Sequence, residues 1–440
     1  MSTSKPKAHA KLVMDGGTVV LCEEEHALPL VHVGVSLRTG SLHDPKDLPG
    51  TVRLCARMLR MGTRKLTAAQ VEERIDAMGA HLGVSCAPSY VHIGGAVVAH
   101  NLDKFVALLG ELLRGPAMRT ADLARAKRET AAELTALCDD DRALVARHFR
   151  GFAFGEHPYG RPIVGTSASV PAIARKHVLA HYEKHFVSDN AVIGFSGAIT
   201  PERARDLVAK HLSLPRGKAP REKLPAPRFK SGRRVLIVDK PERTQTQILI
   251  GTLGTHVQDA DHVPLLVANV TFGGLFTARL TREVRSKRGM SYGASSSLGH
   301  DRQRELWSMW TFPSAKQARE CIDLELRLME EWIDDGVRDA ELRTAKGFLE
   351  KSHAFEVDTA QKRLDQRVET EVFDLPADYH DAFTARVHDV TRQSANAALE
   401  KRLSHDDLAI VVVATASELG PQLAKIPRVK SLQTVSFDRV

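Results

Sequence analysis

The sequence predicts an α+β fold of two structurally similar halves, each a mostly antiparallel sheet flanked by helices. The order strand, turn-rich connection, helix occurs in LPLVHVGVSLRTGSLHDPKDLPGTVRLCARML, and again about 210 residues later in RTQTQILIGTLGTHVQDADHVPLLVANVTFGG. The run between the halves, residues 215–234, is basic and contains four prolines, as linkers often do. We therefore predict an N-terminal domain at 1–214, a linker at 215–233 and a C-terminal domain at 234–440.

The first half is predicted to begin with a hairpin of residues 11–14 and 18–23 around Asp15-Gly16-Gly17. Residues 30–37 alternate apolar with small or polar side chains, as a strand with one buried face does. Thr67 and Gln70 form a capping box that opens a helix at residue 68. The other predicted elements are strands at 81–86, 91–99 and 191–197, and helices at 52–61, 102–113, 120–152, 172–186 and 201–212.

The second half is predicted to repeat this alternation, with strands at 235–239, 245–251, 290–298, 306–312 and 408–414. Its helices are predicted at 261–271, 315–335, 339–354 and 360–373, with another from residue 417. Residues 272–293, FGGLFTARLTREVRSKRGMSYG, begin with Gly273 and Gly274 and continue as a charged amphipathic helix. The apolar positions of that helix are Ala278, Leu280 and Val284.

Composition argues against several classes of protein. The net charge of +8 comes from Lys and Arg interleaved with Asp and Glu along the predicted helices, which favours solvated helix faces over nucleic-acid binding. The five cysteines stand singly, with no CxxC pair, which is typical of free thiols in a reducing compartment. No apolar run approaches the ~20 residues of a membrane span. We therefore expect a cytoplasmic protein with no membrane span and no nucleic-acid partner.

Five segments, in order, resemble the pitrilysin or insulinase superfamily of zinc peptidases, and most closely its two-domain branch with mitochondrial processing peptidase and bacterial relatives. They are LPLVHVGVSLRTGSLHDP, RMLRMGT, HPYGRPIVGT, VSDNAVIGFSGAI and FGGLFTARLTREVRSKRGMSYG. The resemblance extends over nearly the whole chain. It implies two α+β domains, of which the first carries the zinc site in active members.

Members of that superfamily hold zinc with HxxEH on a helix of the first domain and a Glu far downstream. Alignment through RMLRMGT places Arg53, Ala56 and Arg57 where the first His, the Glu and the second His are expected, whereas Glu133 matches the distant ligand. A guanidinium has no lone pair for a metal. We therefore expect no metal and no cofactor in this chain.

Two interpretations of Arg53 and Arg57 stay open from the sequence. In the first, the Glu133 carboxylate pairs with one of them, so that a protein cation takes the place of the metal ion. In the second, they are only the polar face of an amphipathic helix. A separate stripe, His177, His181 and His185, lies on one helical face and is expected at the surface, where it would bind only adventitious nickel or zinc.

Arg288 and Tyr292 match the Arg and Tyr pair with which metal-free relatives grip the substrate of a zinc-bearing partner. The resemblance implies a heterodimer in which these two residues are catalytic, and in which they bind an unfolded peptide together with Gly273 and Gly274. The peptide could add to a sheet edge, which we expect at strand 31–37 or its counterpart. The alternatives are that Arg288 satisfies a helix C-terminus and Tyr292 fills the core, and that the chain is a purely structural or peptide-binding subunit.

Overall fold

The computed structural model describes residues 9–221 and 223–440, which form two compact units. The first unit consists of the described residues within Met1–Glu133, Arg161–Lys223 and Ala354–His380. The second consists of Leu134–Gly160, Leu224–His353 and Asp381–Val440. The units are therefore discontinuous in sequence and do not follow the contiguous division 1–214, 215–233 and 234–440. The described residues between 213 and 232 contain neither helix nor strand.

The sheet of the first unit has the strand order β1-β2-β6-β3-β5-β4. Only β2 and β6 pair in parallel, and the other neighbours are antiparallel. The strands are β1 His9–Val13, β2 Val19–Glu24, β3 Leu30–Leu37, β4 His81–Cys86, β5 Val91–Val98 and β6 Ala191–Gly197.

The sheet of the second unit has the order β12-β7-β11-β8-β10-β9. Here β7 pairs in parallel with β11 and with β12, and the remaining pairs are antiparallel. The strands are β7 Arg233–Asp239, β8 Gln247–Leu253, β9 Ala294–Leu298, β10 Leu306–Thr311, β11 Ala409–Ala414 and β12 Val429–Ser436.

Five strands of each sheet follow the same order with the same directions, since β2-β6-β3-β5-β4 corresponds to β7-β11-β8-β10-β9. This repetition confirms the prediction of two similar, mostly antiparallel halves. The strand-addition prediction is wrong, because β3 and its counterpart β8 both lie inside their sheets, with hydrogen-bonded neighbours on each side.

The helices pack on these sheets or on one another. They are α1 Thr51–Met58, α2 Ala68–Ala77, α3 Leu102–Arg114, α4 Thr120–Leu137, α5 Asp141–Phe154, α6 Ser169–Ala172, α7 Arg175–His185, α8 Pro201–Leu207, α9 His262–Asn269, α10 Arg279–Thr281, α11 Ala318–Asp334, α12 Asp339–Glu356, α13 Ala360–Val372, α14 Phe383–Asp389, α15 Arg392–Arg402 and α16 Ala416–Leu423. Within the described residues, three segments are π-helical: Val208–Leu212, Val270–Gly274 and Arg282–Lys287.

Each unit includes a helix from the other half of the sequence. In the first unit α13 packs on β6 and β2, and Gly194 of β6 leaves room for Leu364. In the second unit α5 packs on β11 and β8, and Gly251 of β8 leaves room for Phe149. A Cβ at Gly251 would lie 2.8 Å from the Phe149 ring, so these glycines permit the close approach of helix and sheet.

Several predicted boundaries are wrong. The single helix predicted at 120–152 is two helices, because Asp140 caps α5 by accepting a hydrogen bond from the Ala143 amide. The strand predicted at 290–298 begins only at Ala294. Helices α14 and α15 and strand β12 were not predicted.

One segment of the described residues, His262–Lys287, is long and apolar enough to satisfy a composition test for a membrane span. Of its most apolar window, 61% is buried in the protein, and Phe272, Leu280 and Val284 belong to the core of the second unit. Core helices of soluble proteins satisfy the same test.

Candidate functional site

Helix α1 carries the degenerate zinc positions. It follows Gly50, whose φ of 94° lies in the left-handed region, and the Asp44 carboxylate accepts 2.8 Å hydrogen bonds from the Gly50 and Val52 amides. Burial raises the pKa of Asp44 to about 7, although these amides and Arg161 oppose that rise. The buried face of α1 includes Leu54, Cys55, Ala56 and Met58. Arg53 and Arg57 are left pointing toward α4.

The Glu133 carboxylate of α4 binds both arginines. Arg53 Nη2 lies 2.6 Å from Glu133 Oε2, and Arg57 Nη1 lies 2.5 Å from Glu133 Oε1. Arg57 also binds Glu129 at 2.8 Å, and Glu129 in turn binds Arg125. The pairing hypothesis is therefore confirmed, and it holds for both arginines rather than for one.

The two arginines also set the protonation of Glu133. Desolvation, the largest single cause, would raise the pKa of Glu133, but the hydrogen bonds and the charges of Arg57 and Arg53 together outweigh it and hold that pKa below its usual value. These residues do not fit a zinc ion, because two guanidinium groups occupy the carboxylate that would have been a ligand. Among residues 9–221 and 223–440, no group of three or more His, Cys, Asp and Glu is arranged to hold a metal.

Two of the three histidines in the stripe, His181 and His185, are not at the surface, contrary to the prediction. His181 and His185 are buried with stacked rings 4.5 Å apart, and the His43 ring lies 4.9 Å from that of His185. Burial, and then the neighbouring His185 and His43, hold the pKa of His181 well below its usual value. His177 is partly exposed and accepts a hydrogen bond from the Ala174 amide. Helix α7 therefore turns this side of the stripe toward the core.

The core of the second unit fixes the segment 272–293. Phe272 packs on Trp332 and Trp307, with ring centroids 4.6 Å and 5.7 Å away. Leu280 and Val284 are fully buried, as their spacing predicts. The π-helical segment Arg282–Lys287 is therefore anchored in the core through Val284.

Arg288 follows that segment and is bound to it. Its Nη1 donates to the Glu283 carboxylate at 2.6 Å and to the Glu283 carbonyl at 3.1 Å. Glu283 also binds Lys287 and Arg282. The hydrogen bonds from Lys287 and Arg288 lower the pKa of Glu283 to about 2. Arg288 therefore satisfies a carbonyl near the end of its own helix, as the alternative interpretation expected.

Tyr292 is 74% exposed and so does not fill the core. The neighbouring Ser291 is buried and fixes the turn, since its hydroxyl donates to the Gly293 carbonyl at 2.6 Å and accepts from the Phe312 amide at 2.9 Å. The cation that contacts the Tyr292 ring is Arg285, whose guanidinium carbon lies 4.1 Å from the ring centroid.

Arg285 and Phe276 are residues that the sequence reasoning missed. The Arg285 guanidinium also lies 4.6 Å from the ring of Phe276, which is 63% exposed. The sequence offered one sign of Phe276 as a binding residue. It directly follows the Gly273-Gly274-Leu275 turn, where an aromatic residue stands among small and polar ones.

The glycine pair has two different environments. A Cβ at Gly273 would lie 2.5 Å from the Ser296 amide nitrogen of edge strand β9, so this position requires glycine for packing. A Cβ at Gly274 would lie 3.3 Å from the nearest atom, a Val270 methyl, and Gly274 is exposed. Only Gly274 thus leaves backbone open to a ligand.

Comparison with known proteins identifies the family. Residues 19–167 match the sequence model described as Insulinase (Peptidase family M16), and residues 172–349 match the model described as Peptidase M16 inactive domain. The chain belongs to peptidase family M16. The resemblance to the pitrilysin or insulinase superfamily is confirmed.

Similar proteins include several bacterial members. The M16 chain is 26% identical over 346 residues to an uncharacterized zinc protease of Mycobacterium leprae, with 77% of each chain covered. It is 22% identical over 397 residues to a Helicobacter pylori protein named a non-peptidase homolog, covering 90% of this chain and 91% of that one.

A solved structure shares the fold. The crystal structure of a peptidase M16 inactive domain from Pseudomonas fluorescens superposes with a TM-score of 0.85 at 23% identity, covering 92% of this chain and 98% of the other.

Proposed function

We propose that this chain is the zinc-free subunit of a heterodimeric metalloendopeptidase. A homologous partner subunit would carry HxxEH and supply the zinc ion, the attacking water and the general base. This chain would supply Arg288 and Tyr292 to the bound peptide, with Gly273 and Gly274 beside it. The substrate would be an unfolded polypeptide, and the cytoplasmic location stays a prediction.

The observation that carries the proposal is the exposed Tyr292 on a fixed turn. Met290 and Ser291 before it are buried, so the turn is anchored while the phenol faces solvent. Its hydroxyl forms no hydrogen bond with any residue that the structure describes, and a phenol can donate to a peptide carbonyl or to the oxyanion that develops from it. A structural subunit has no need of such a group.

Zinc chemistry is assigned to the partner because of the first unit. Arg53 and Arg57 occupy the carboxylate of Glu133, and Ala56 has no group that could act as a base. The chain alone therefore should not hydrolyse peptides.

A second candidate is a purely structural or peptide-binding subunit without any role in proteolysis. The contacts of Arg288 favour it, since this cation already serves Glu283 and the end of its helix. The two candidate functions differ in whether the exposed side chains of this chain take part in proteolysis by the partner subunit.

The test is to co-express the chain with a zinc-bearing homologue from the same genome and to assay cleavage of unfolded polypeptide. We expect no activity from either chain alone and activity from the pair. Activity of this chain alone would contradict the proposal. An unchanged rate in a pair that combines Arg288→Ala and Tyr292→Phe would favour the structural candidate instead.

A further inference from the structure

In the second unit, the guanidinium of the partly exposed Arg285 contacts two exposed aromatic rings. We call Phe276, Arg285 and Tyr292 the aromatic–arginine stack. The Arg285 guanidinium carbon lies 4.6 Å from the ring centroid of Phe276 and 4.1 Å from that of Tyr292. The two rings are 63% and 74% exposed, so this stack is not part of the core.

The stack leaves the hydrogen-bond donors of Arg285 free. The guanidinium contacts the faces of two rings, which favours one orientation of the group. Its backbone carbonyl accepts from the Gly289 amide, but within residues 9–221 and 223–440 the Arg285 side chain forms no hydrogen bond and no ion pair. Its donors lie in the plane of the group, in a fork that matches the two oxygens of a carboxylate. The site is therefore organised before a ligand arrives.

Local charge favours an anion at this place. Arg282, Lys287 and Arg288 all bind one carboxylate, that of Glu283. Residues 282–288 thus carry four cations and one anion, and Arg285 is the cation that Glu283 does not neutralise. A neutral peptide carbonyl would use one donor of Arg285, whereas a carboxylate would use two and would also match the charge.

We propose that the aromatic–arginine stack binds a carboxylate of the peptide, and that the chain therefore prefers acidic peptides or peptide C-termini. The inference rests on the proposed function, since it takes the peptide to lie against Tyr292. The inference specifies the chemical class of the ligand, a carboxylate, and assigns the contact with that carboxylate to Arg285.

The experiment measures binding of short, unlabelled, N-acetylated Ala/Ser peptides to the isolated full chain by isothermal titration calorimetry. One peptide carries a central Glu with an amidated C-terminus, a second carries a free C-terminus with no Glu, and a third carries Gln with an amidated C-terminus. We expect at least one carboxylate peptide to bind about tenfold more tightly than the neutral one, as a charge-assisted hydrogen bond allows. The first two peptides distinguish a side chain from a chain terminus as the source of the carboxylate.

The variants distinguish binding by the aromatic–arginine stack from attraction by the positive charge of the whole segment. Arg285→Lys keeps the charge but loses the planar fork, and should remove most of the tenfold preference. Lys287→Gln removes a neighbouring charge outside the stack and should change the preference less than about twofold. Phe276→Leu should weaken binding while leaving Arg285 in place. Thermal unfolding of each variant confirms that it is folded.

Equal binding of all three peptides, or a preference that persists in Arg285→Lys, would overturn the inference. So would a failure of all the peptides to bind the isolated chain. None of these outcomes touches the proposed function, which depends on cleavage by the pair with its zinc-bearing partner.

Discussion

The ion-pair cluster in place of the zinc site makes a prediction about stability. Glu133→Gln keeps the shape of the side chain and removes its charge, which leaves the Arg53 and Arg57 guanidinium groups close together. The two contacts of 2.6 Å and 2.5 Å are only partly shielded, because 41% of the Glu133 side chain and 23% of each arginine are exposed. Exposed pairs contribute up to about 1 kcal/mol each, so we expect the free energy of unfolding to fall by about 1–2 kcal/mol at pH 7.

The contribution of the Glu133 charge to the free energy of unfolding should depend on pH. The pKa of Glu133 is lower in the folded protein than its ordinary value of 4.5. Its contribution to stability is therefore complete above about pH 4.5 and is lost as the pH falls through the folded-state pKa. The difference between wild type and Glu133→Gln should accordingly shrink when urea unfolding is measured below that pH.

A matched control lies next to the cluster. Arg60 and Glu72 form an isolated pair at 2.6 Å with similar exposure, so Glu72→Gln should cost less than Glu133→Gln. A double-mutant cycle of Arg53→Met with Glu133→Gln measures the coupling itself. Zero coupling, or a Glu133→Gln variant as stable as wild type at pH 7, would refute the view that the pairing replaces a metal ion as the charge partner of Glu133.

Two further predictions concern the second unit. Burial raises the pKa of Glu325 to about 8, so the folded protein holds a proton that the unfolded chain releases. The free energy of unfolding should therefore fall by about 3 kcal/mol from pH 5 to pH 7. In urea titrations Glu325→Gln should make the free energy of unfolding less dependent on pH, and an unchanged pH dependence would contradict the assignment. Gly273→Ala would press its Cβ on the Ser296 amide and should lower the free energy of unfolding by about 1–3 kcal/mol, whereas Gly274→Ala should lower it by less than about 1 kcal/mol. Equal melting temperatures for the two variants would show that strand β9 can shift.

Much of the fold could be predicted because period-two alternation and turn residues mark strands locally. Strand β3 occupies the predicted residues, and the capping box at Thr67 opens α2 where expected. The exchange of α5 and α13 between the halves could not be predicted. It depends on Gly194 and Gly251, whose role as space for a helix is visible only once the sheet exists.

The candidate site was predicted unevenly for a similar reason. Loss of the zinc ligands follows from residue types alone, so Arg53 and Arg57 could be interpreted without a structure. Whether Arg285 or Arg288 contacts Tyr292 depends on the π-helical turn at Arg282–Lys287. The period of that turn differs from that of the predicted α-helix. The burial of His181 likewise depends on which face of α7 packs against α1, and a polar helix gives no sign of it.

The most direct test of the central claim is the single-turnover cleavage rate of the co-expressed pair with Tyr292→Phe in this chain. The substitution removes one hydroxyl from an exposed side chain and should leave stability and assembly unchanged. If the hydroxyl serves the partner's active site, the rate should fall by roughly a hundredfold, as for other oxyanion donors. A pair that cleaves at the wild-type rate would contradict the account.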